Sequence, residues 1–230
     1  MKTTGEFSSH VYELKGKTIK KPITLIPFGD IHFGNPHHCE ETFKRFIEYC
    51  KSVENPYYIG MGDYMEVAST SERKILNAGL HESTLTFQDE VHKNLAIEFA
   101  KKISFMKGRI IGMIGGNHYY QFQDGTNSDQ VICQELECKF LGVMTVTRLR
   151  VDIAGRQRSL DLCAHHGTGG GKRTGSSINN VEDLRNVAVA DIYLMGHDHK
   201  KWVAPGSVLQ FNPSNNELEA RDIMFGRTGS

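Results

Sequence analysis

Apolar positions repeat along this chain in two periods, and the switches between them outline a layered fold. Pro22 to Phe28 (PITLIPF) is a short apolar run rich in strand formers, ending abruptly in Gly29-Asp30-Ile31-His32. Phe43, Phe46, Ile47, Cys50 and Val53 then recur at helical spacing over Glu40 to Val53, since side chains three and four apart share one helix face. Asn55-Pro56 breaks that helix, and Tyr57-Tyr58-Ile59 makes the next strand, closing in Gly60-Met61-Gly62-Asp63. Strand, helix, strand predicts an α/β sheet with crossover helices.

The pattern continues after a polar, irregular stretch at 64–86. Val91, Leu95, Phe99 and Ile103 repeat every four residues and predict a helix from Phe87 to Met106. The strand Arg109 to Ile114 runs into Gly115-Gly116-Asn117-His118, and Ser128 to Phe140 reads as a helix. Residues 143–153 and 159–164 alternate as antiparallel strands, the second ending in His165-His166-Gly167. A glycine-rich loop to Ser177 leads into a helix expected over Asn179 to Val189, then the strand Asp191 to Met195 finishes in Gly196-His197-Asp198-His199. Two or three short strands are expected from Trp202 onward. Without internal repeats or an evident linker, residues 1–230 are expected to form one domain with a helical and irregular excursion at about 64–108. Because Gly226 to Ser230 suggests neither a helix nor a terminal strand, further C-terminal sequence is expected.

Charge narrows the function. The 27 Lys and Arg balance the 27 Asp and Glu, which argues against holding nucleic acid or anionic membrane by bulk electrostatics. Met1 to Lys21 lacks the apolar core of a secretory signal, and no run approaches the ~18 apolar residues of a membrane span. The five cysteines (Cys39, Cys50, Cys133, Cys138, Cys163) include no CxxC pair. They read as reduced thiols, and a cytoplasmic location without a membrane partner is expected.

Histidine is the excess. Of 11 histidines, six (His32, His118, His165, His166, His197, His199) stand at ends of the expected strands, beside Asp30, Asp63 and Asn117. Sites in layered α/β folds gather at the carboxyl ends of strands, where loops converge. Imidazole, carboxylate and carboxamide without thiolate suit manganese first, with iron, zinc, nickel or cobalt as alternatives. Five such strand ends offer more ligands than one ion needs, so two divalent ions are expected.

The order GDIH (29–32), GD (62–63), GNH (116–118), HHG (165–167) and GHDH (196–199) resembles the calcineurin-like metallophosphoesterases over most of the chain. The resemblance implies a four-layered α/β-β/α sandwich of two mixed sheets flanked by helices, with a dinuclear metal centre at the strand ends. It implies that Asp30, His32 and His199 hold one metal, and that Asn117, His197 and either His165 or His166 hold the other. Asp63 would bridge them, and His118 would face the substrate without binding metal. The implied reaction is hydrolysis of a phosphodiester or phosphomonoester by water activated between the metals. A nuclease acting on DNA or RNA ends, or a non-catalytic metal-binding scaffold, is the alternative. Two positions depart from the family pattern: Tyr119 replaces the acidic residue that usually follows GNH and orients the histidine, and Glu66 replaces the Asp or Asn often found three residues after the bridging Asp.

Weaker signals concern the substrate, expected to be a phosphorylated small molecule, a nucleotide or a nucleic acid. Gly167 to Gly175 is no P-loop, because His166 and Arg173 stand where Gly and Ser or Thr are required. Lys172 and Arg173 either contact a further phosphate or are simply solvated. His37, His38 and Cys39 are expected to begin the first helix and line the site entrance.

Overall fold

Alternation along the strands decides how the layers stack. The computed structural model describes residues 7–14, 22–67, 80–153, 156–168, 173–212 and 214–229. Its strands are β1 (Phe7–Glu13), β2 (Thr24–Phe28), β3 (Pro56–Gly60), β4 (Ile110–Met113), β5 (Met144–Ile153), β6 (Arg156–His165), β7 (Ile192–Met195), β8 (Trp202–Asn212) and β9 (Glu217–Arg227). Its helices are α1 (Glu40–Ser52), α2 (Glu82–Lys102), α3 (Ser128–Glu135) and α4 (Thr174–Glu182). A parallel sheet runs β2-β3-β4, and a six-stranded mixed sheet runs β1-β5-β6-β7-β9-β8. The α/β class holds; of the two sheets expected to be mixed, the larger is and the smaller is parallel.

Successive side chains in a strand point to opposite faces, so each strand divides between two cores. In β3, Tyr57 and Ile59 point toward the large sheet and Tyr58 toward the helices. In β6 and β7, Leu162, Ala164 and Leu194 point toward the small sheet, while Cys163, Tyr193 and Met195 point away. Ile59, Met61, Ile114, Leu162, Ala164 and Leu194 thus form the seam between sheets. Outside the small sheet lie Phe43 and Cys50 of α1, Phe99 of α2 and Ile132 of α3; outside the large sheet lie Val181 of α4 and Leu184. The sum is four layers, and both sheets aim carboxyl-terminal strand ends at one edge.

Several elements differ from the periodicity reading, each for a local reason. β1 pairs in parallel with β5 through Phe7 to Glu13, in a stretch too polar to read as a strand because one of its faces is exposed. α2 starts at Glu82, five residues before Phe87, because the His81 side chain caps it by accepting from the Ser83 N–H. α3 begins in a capping box of Asn127 and Gln130 and stops at Glu135; Glu137 has turned to φ 55 two residues later. α4 occupies Thr174–Glu182 and tightens into a 3-10 turn at Asp183–Asn186, upstream of the expected 179–189. The short strands expected after Trp202 are instead two strands of 11 residues, paired antiparallel from Trp202–Arg227 to Asn212–Glu217. Of the 64–108 excursion, residues 68–79 lie outside the described residues. No described helix is long and apolar enough to cross a membrane.

Candidate metal centre

The loops leaving β2 and β3 are laced together by their backbones. Asp30 N donates to the Gly62 carbonyl (2.9 Å), Ile31 N and His32 N donate to the Asp63 carbonyl (2.9 and 3.1 Å), Phe33 N donates to Tyr64, and Glu66 N returns to Phe33. The lacing holds Asp30, His32, Asp63 and Glu66 at one edge. It also forces unusual backbone: Asp30, His32, Asp63, His197 and His199 all have φ between 50 and 74, and only Asn55, Glu137 and Asn216 join them among described non-glycine residues. Left-handed backbone at a side-chain-bearing residue is unfavourable and persists where the surroundings impose it. Five such residues converge here. Gly116 is required for a different reason: a Cβ there would fall on the Asp63 carboxylate.

Alongside a third group, His32/Glu66/His118, which shares His32 with the first, two groups of donor atoms, Asp30/His32/His199 and Asp63/His166/His197, each have their atoms within 4.8 Å of one another. Asp63 lies between them: Oδ2 is 3.1 Å from His166 Nε2 and 3.9 Å from His32 Nε2. Its other oxygen accepts from the backbone N–H groups of Asn117 (2.7 Å) and His118 (2.9 Å). Asn117 Oδ1 sits 3.0 Å from His166 Nε2 and 2.9 Å from His197 Nδ1, so it joins the second group. His197 N donates to the Asp30 carboxylate at 3.0 Å, tying the two groups together. His32 and His199 stack, with ring centroids 5.1 Å apart.

The donor chemistry fits a cation. His166 Nδ1 lies 2.7 Å from the Met61 carbonyl, which can only accept, so Nδ1 carries a proton. In the neutral ring, Nε2 then presents a lone pair to two oxygens, Asp63 Oδ2 and Asn117 Oδ1. Such a convergence of lone pairs is relieved by a bound cation or by a second proton on the ring. Electrostatics follow the same logic. Burial opposes charge on His166, yet its hydrogen bond to Asp63 and the charge of that carboxylate hold the ring pKa above its usual value. Burial likewise pushes Asp63 up, but His166 and the His118 N–H outweigh it and hold the carboxyl well below the usual range. Asp30, lacking so close a cation, is pushed up to about 7 by burial, opposed by His166 and reinforced by the Asp63 charge. Burial lowers His197 and His199, keeping both rings in the neutral form that binds metal. His32 Nε2 is buried and makes no hydrogen bond.

Beside the donors, Glu66 reaches two imidazoles at once. Its Oε2 is 2.6 Å from His32 Nδ1 and its Oε1 is 3.0 Å from His118 Nδ1, the latter contact being off the hydrogen-bonding direction. Glu66 thus sets a carboxylate beside His118. Asp30, His32, Asp63, Asn117, His118, His197 and His199 come together at this edge. Of the His165–His166 pair, His166 joins the donors; His165 belongs to no donor group among the described residues, because alternation along β6 turns it away with Cys163. Arg173 stands exposed just before α4, outside the cleft beside Asp30, His32 and His199, and Lys172 lies outside the described residues. His37, His38 and Cys39 do line that cleft, and Cys39 directly precedes α1.

The periodicity reading missed the supports. Arg227, its side chain fully buried, donates from Nη1 to the Gly196 carbonyl and lies 3.6 Å from Asp198. Ser177 Oγ donates to Asp198 and accepts from Trp202 Nε1. Asp129 is buried and accepts from Gly116 N at 3.3 Å. The Asp between two histidines in GHDH was the available signal for Asp198; nothing local marks Arg227 as buried. Comparison with family models, curated proteins and solved structures finds no match.

Proposed function

We propose that the protein hydrolyses phosphoester bonds at a centre of two divalent metal ions, as the resemblance of its strand-end motifs to the calcineurin-like metallophosphoesterases suggests. The observation that carries this reading is the placement of Asp63 between two donor groups, with a carboxylate-paired imidazole, His118, beside them. Asp30, His32 and His199 would hold one ion; Asn117, His166 and His197 the other; Asp63 would be shared. Bound there, manganese or a similar ion would supply Lewis acidity and a water ionisable near neutral pH.

The chain's own residues complete the chemistry. Asp63 stays ionised because His166 and two backbone N–H groups stabilise its charge. Glu66 Oε1, 3.0 Å from His118 Nδ1, orients the ring so that its Nε2 would give a proton to the departing oxygen. Glu66 also fixes His32 through Nδ1, so that its buried Nε2 faces Asp63. No covalent enzyme intermediate is needed.

The discriminating assay compares a bis-aryl phosphate, an aryl monophosphate and single-stranded DNA with manganese present. Hydrolysis of one of the two small esters is expected. Glu66→Gln should lower kcat by roughly 100-fold, within the range for loss of general acid-base assistance. Unaltered kcat in that variant would remove His118 from the proton transfer.

A further inference from the structure

We propose that the cleft beside Asp30, His32 and His199 receives a flat aromatic group of a small phosphoester, either an aryl group or the base of a nucleoside. This inference rests on the phosphoester reading and extends it to the substrate. The cleft measures about 720 Å³ and opens directly onto the Asp30/His32/His199 group, within the size range of small-ligand pockets. A phosphoryl group near the metals would therefore place its ester substituent in this space.

The lining identifies that substituent. Phe43 and Phe46 of α1 give one apolar wall, suited to a ring because aromatic pairs gain beyond their buried area. Two residues that line the cleft each carry a buried polar atom without a hydrogen bond: His38 Nε2 and Thr228 Oγ1. His38 Nδ1, 2.9 Å from the Ile31 carbonyl, must be its donor. Nε2 is therefore an acceptor in the neutral ring, with the Glu40 carboxylate 3.4 Å away. The Thr228 hydroxyl can donate or accept. An imidazole nitrogen and a hydroxyl bordering the same cleft as an apolar wall match the edge of a heteroaromatic ring better than a hydrocarbon chain. Lys201 is the only Lys or Arg among the described lining residues. A polymer track would need a row of such cations, because phosphate contacts dominate nucleic-acid affinity. The cleft therefore suits a small ester.

Cys39 provides a readout independent of turnover. It is exposed on the cleft wall, and its hydrogen bond with Thr42 lowers the thiol pKa, which favours alkylation. Iodoacetamide labelling of the full chain, with peptide mapping of Cys39, is run with adenosine monophosphate, phenyl phosphate, methyl phosphate or a DNA oligomer. Adenosine monophosphate, phenyl phosphate or both should slow labelling about tenfold near saturation, while methyl phosphate does not. Phe46→Ala should lower the ratio of kcat/KM for a nucleoside 4-nitrophenyl phosphodiester over its methyl analogue by about tenfold, in keeping with loss of an aromatic contact. Protection by methyl phosphate equal to that by the aromatic esters, by the oligomer alone, or by none of them would overturn the proposal. Hydrolysis of the methyl ester without aromatic protection removes this inference alone. Aromatic protection without any hydrolysis removes the phosphoesterase reading alone.

Discussion

The two donor groups share an edge of the fold but are built differently. Asp63 and His166 are almost fully buried, and each is fixed by backbone: two N–H groups on Asp63, the Met61 carbonyl on His166. In the other group only Asp30 is buried; His32 is half-buried and His199 is exposed beside the cleft. The inner group is thus shaped before any ligand arrives, while the outer one faces the open cleft. Preorganisation should give the inner ion the tighter binding and leave the outer ion more exchangeable.

Ligand removal tests that asymmetry with the largest effects. His166→Ala should weaken the tighter manganese by more than the roughly 100-fold typical of losing a supporting partner. His199→Ala should weaken the looser ion and spare the tighter one. Calorimetric titration separates them; equal losses at both ions in either variant would erase the distinction.

Arg227 tests the support that the two groups have in common, since it holds the loop bearing His197 and His199 through Gly196 and Asp198. Arg227→Met leaves the buried Asp198 carboxylate without that cation and should destabilise the fold by about 3 kcal/mol in denaturant titration. A loss below about 1 kcal/mol would show that Ser177 and Lys200, whose Nζ lies 4.0 Å from the Asp198 carboxylate, suffice.

Acidity gives the next effect. Asp30 has a pKa raised to about 7, and His166 is raised as well. A group that binds its proton more tightly when folded stabilises the fold at low pH and loses that contribution as pH rises through its folded pKa. Without divalent metal, the Asp30 and His166 contributions should therefore fall from about pH 4 to beyond pH 7, while His197 and His199, lowered by burial, contribute in the opposite sense near pH 6.5. Manganese should flatten the slope by replacing those protons. A metal-free difference in stability between the unaltered chain and Asp30→Asn that does not change with pH across this window would contradict the burial account of Asp30.

The smallest effect should come from the Arg148–Asp161 pair on the large sheet, bidentate at 2.8 Å with the arginine exposed and the aspartate half-buried. Asp161 is lowered chiefly by its hydrogen bond to Arg148, so its contribution is present above about pH 4 and lost as pH falls through the folded value. Asp161→Asn should cost less than about 1 kcal/mol and leave metal binding unchanged.

The sequence exposed the site more fully than it exposed the fold. A ligand must sit where a strand ends, and Asp30, Asp63, Asn117 and His197 are flanked by glycines and polar breaks that interrupt apolar runs. Edges and ends of elements lack that contrast. β1 was hidden because a half-exposed edge strand alternates too weakly, and α2 began early because a histidine cap resembles no standard start signal. The choice between His165 and His166 required the phase of β6, which adjacent identical residues do not reveal. Glu66 stood out as a departure from the family pattern, but only the lacing of the β2 and β3 loops connects it to both His32 and His118. Arg227 was invisible because no local pattern distinguishes a buried arginine from a solvated one.

The most direct measurement is manganese-dependent hydrolysis of bis(4-nitrophenyl) phosphate by the unaltered protein and by Asp63→Asn and His118→Ala. The shared position of Asp63 predicts hydrolysis by the unaltered chain and loss of most of it in both variants. Full activity in both would contradict a two-metal phosphoester mechanism at this site.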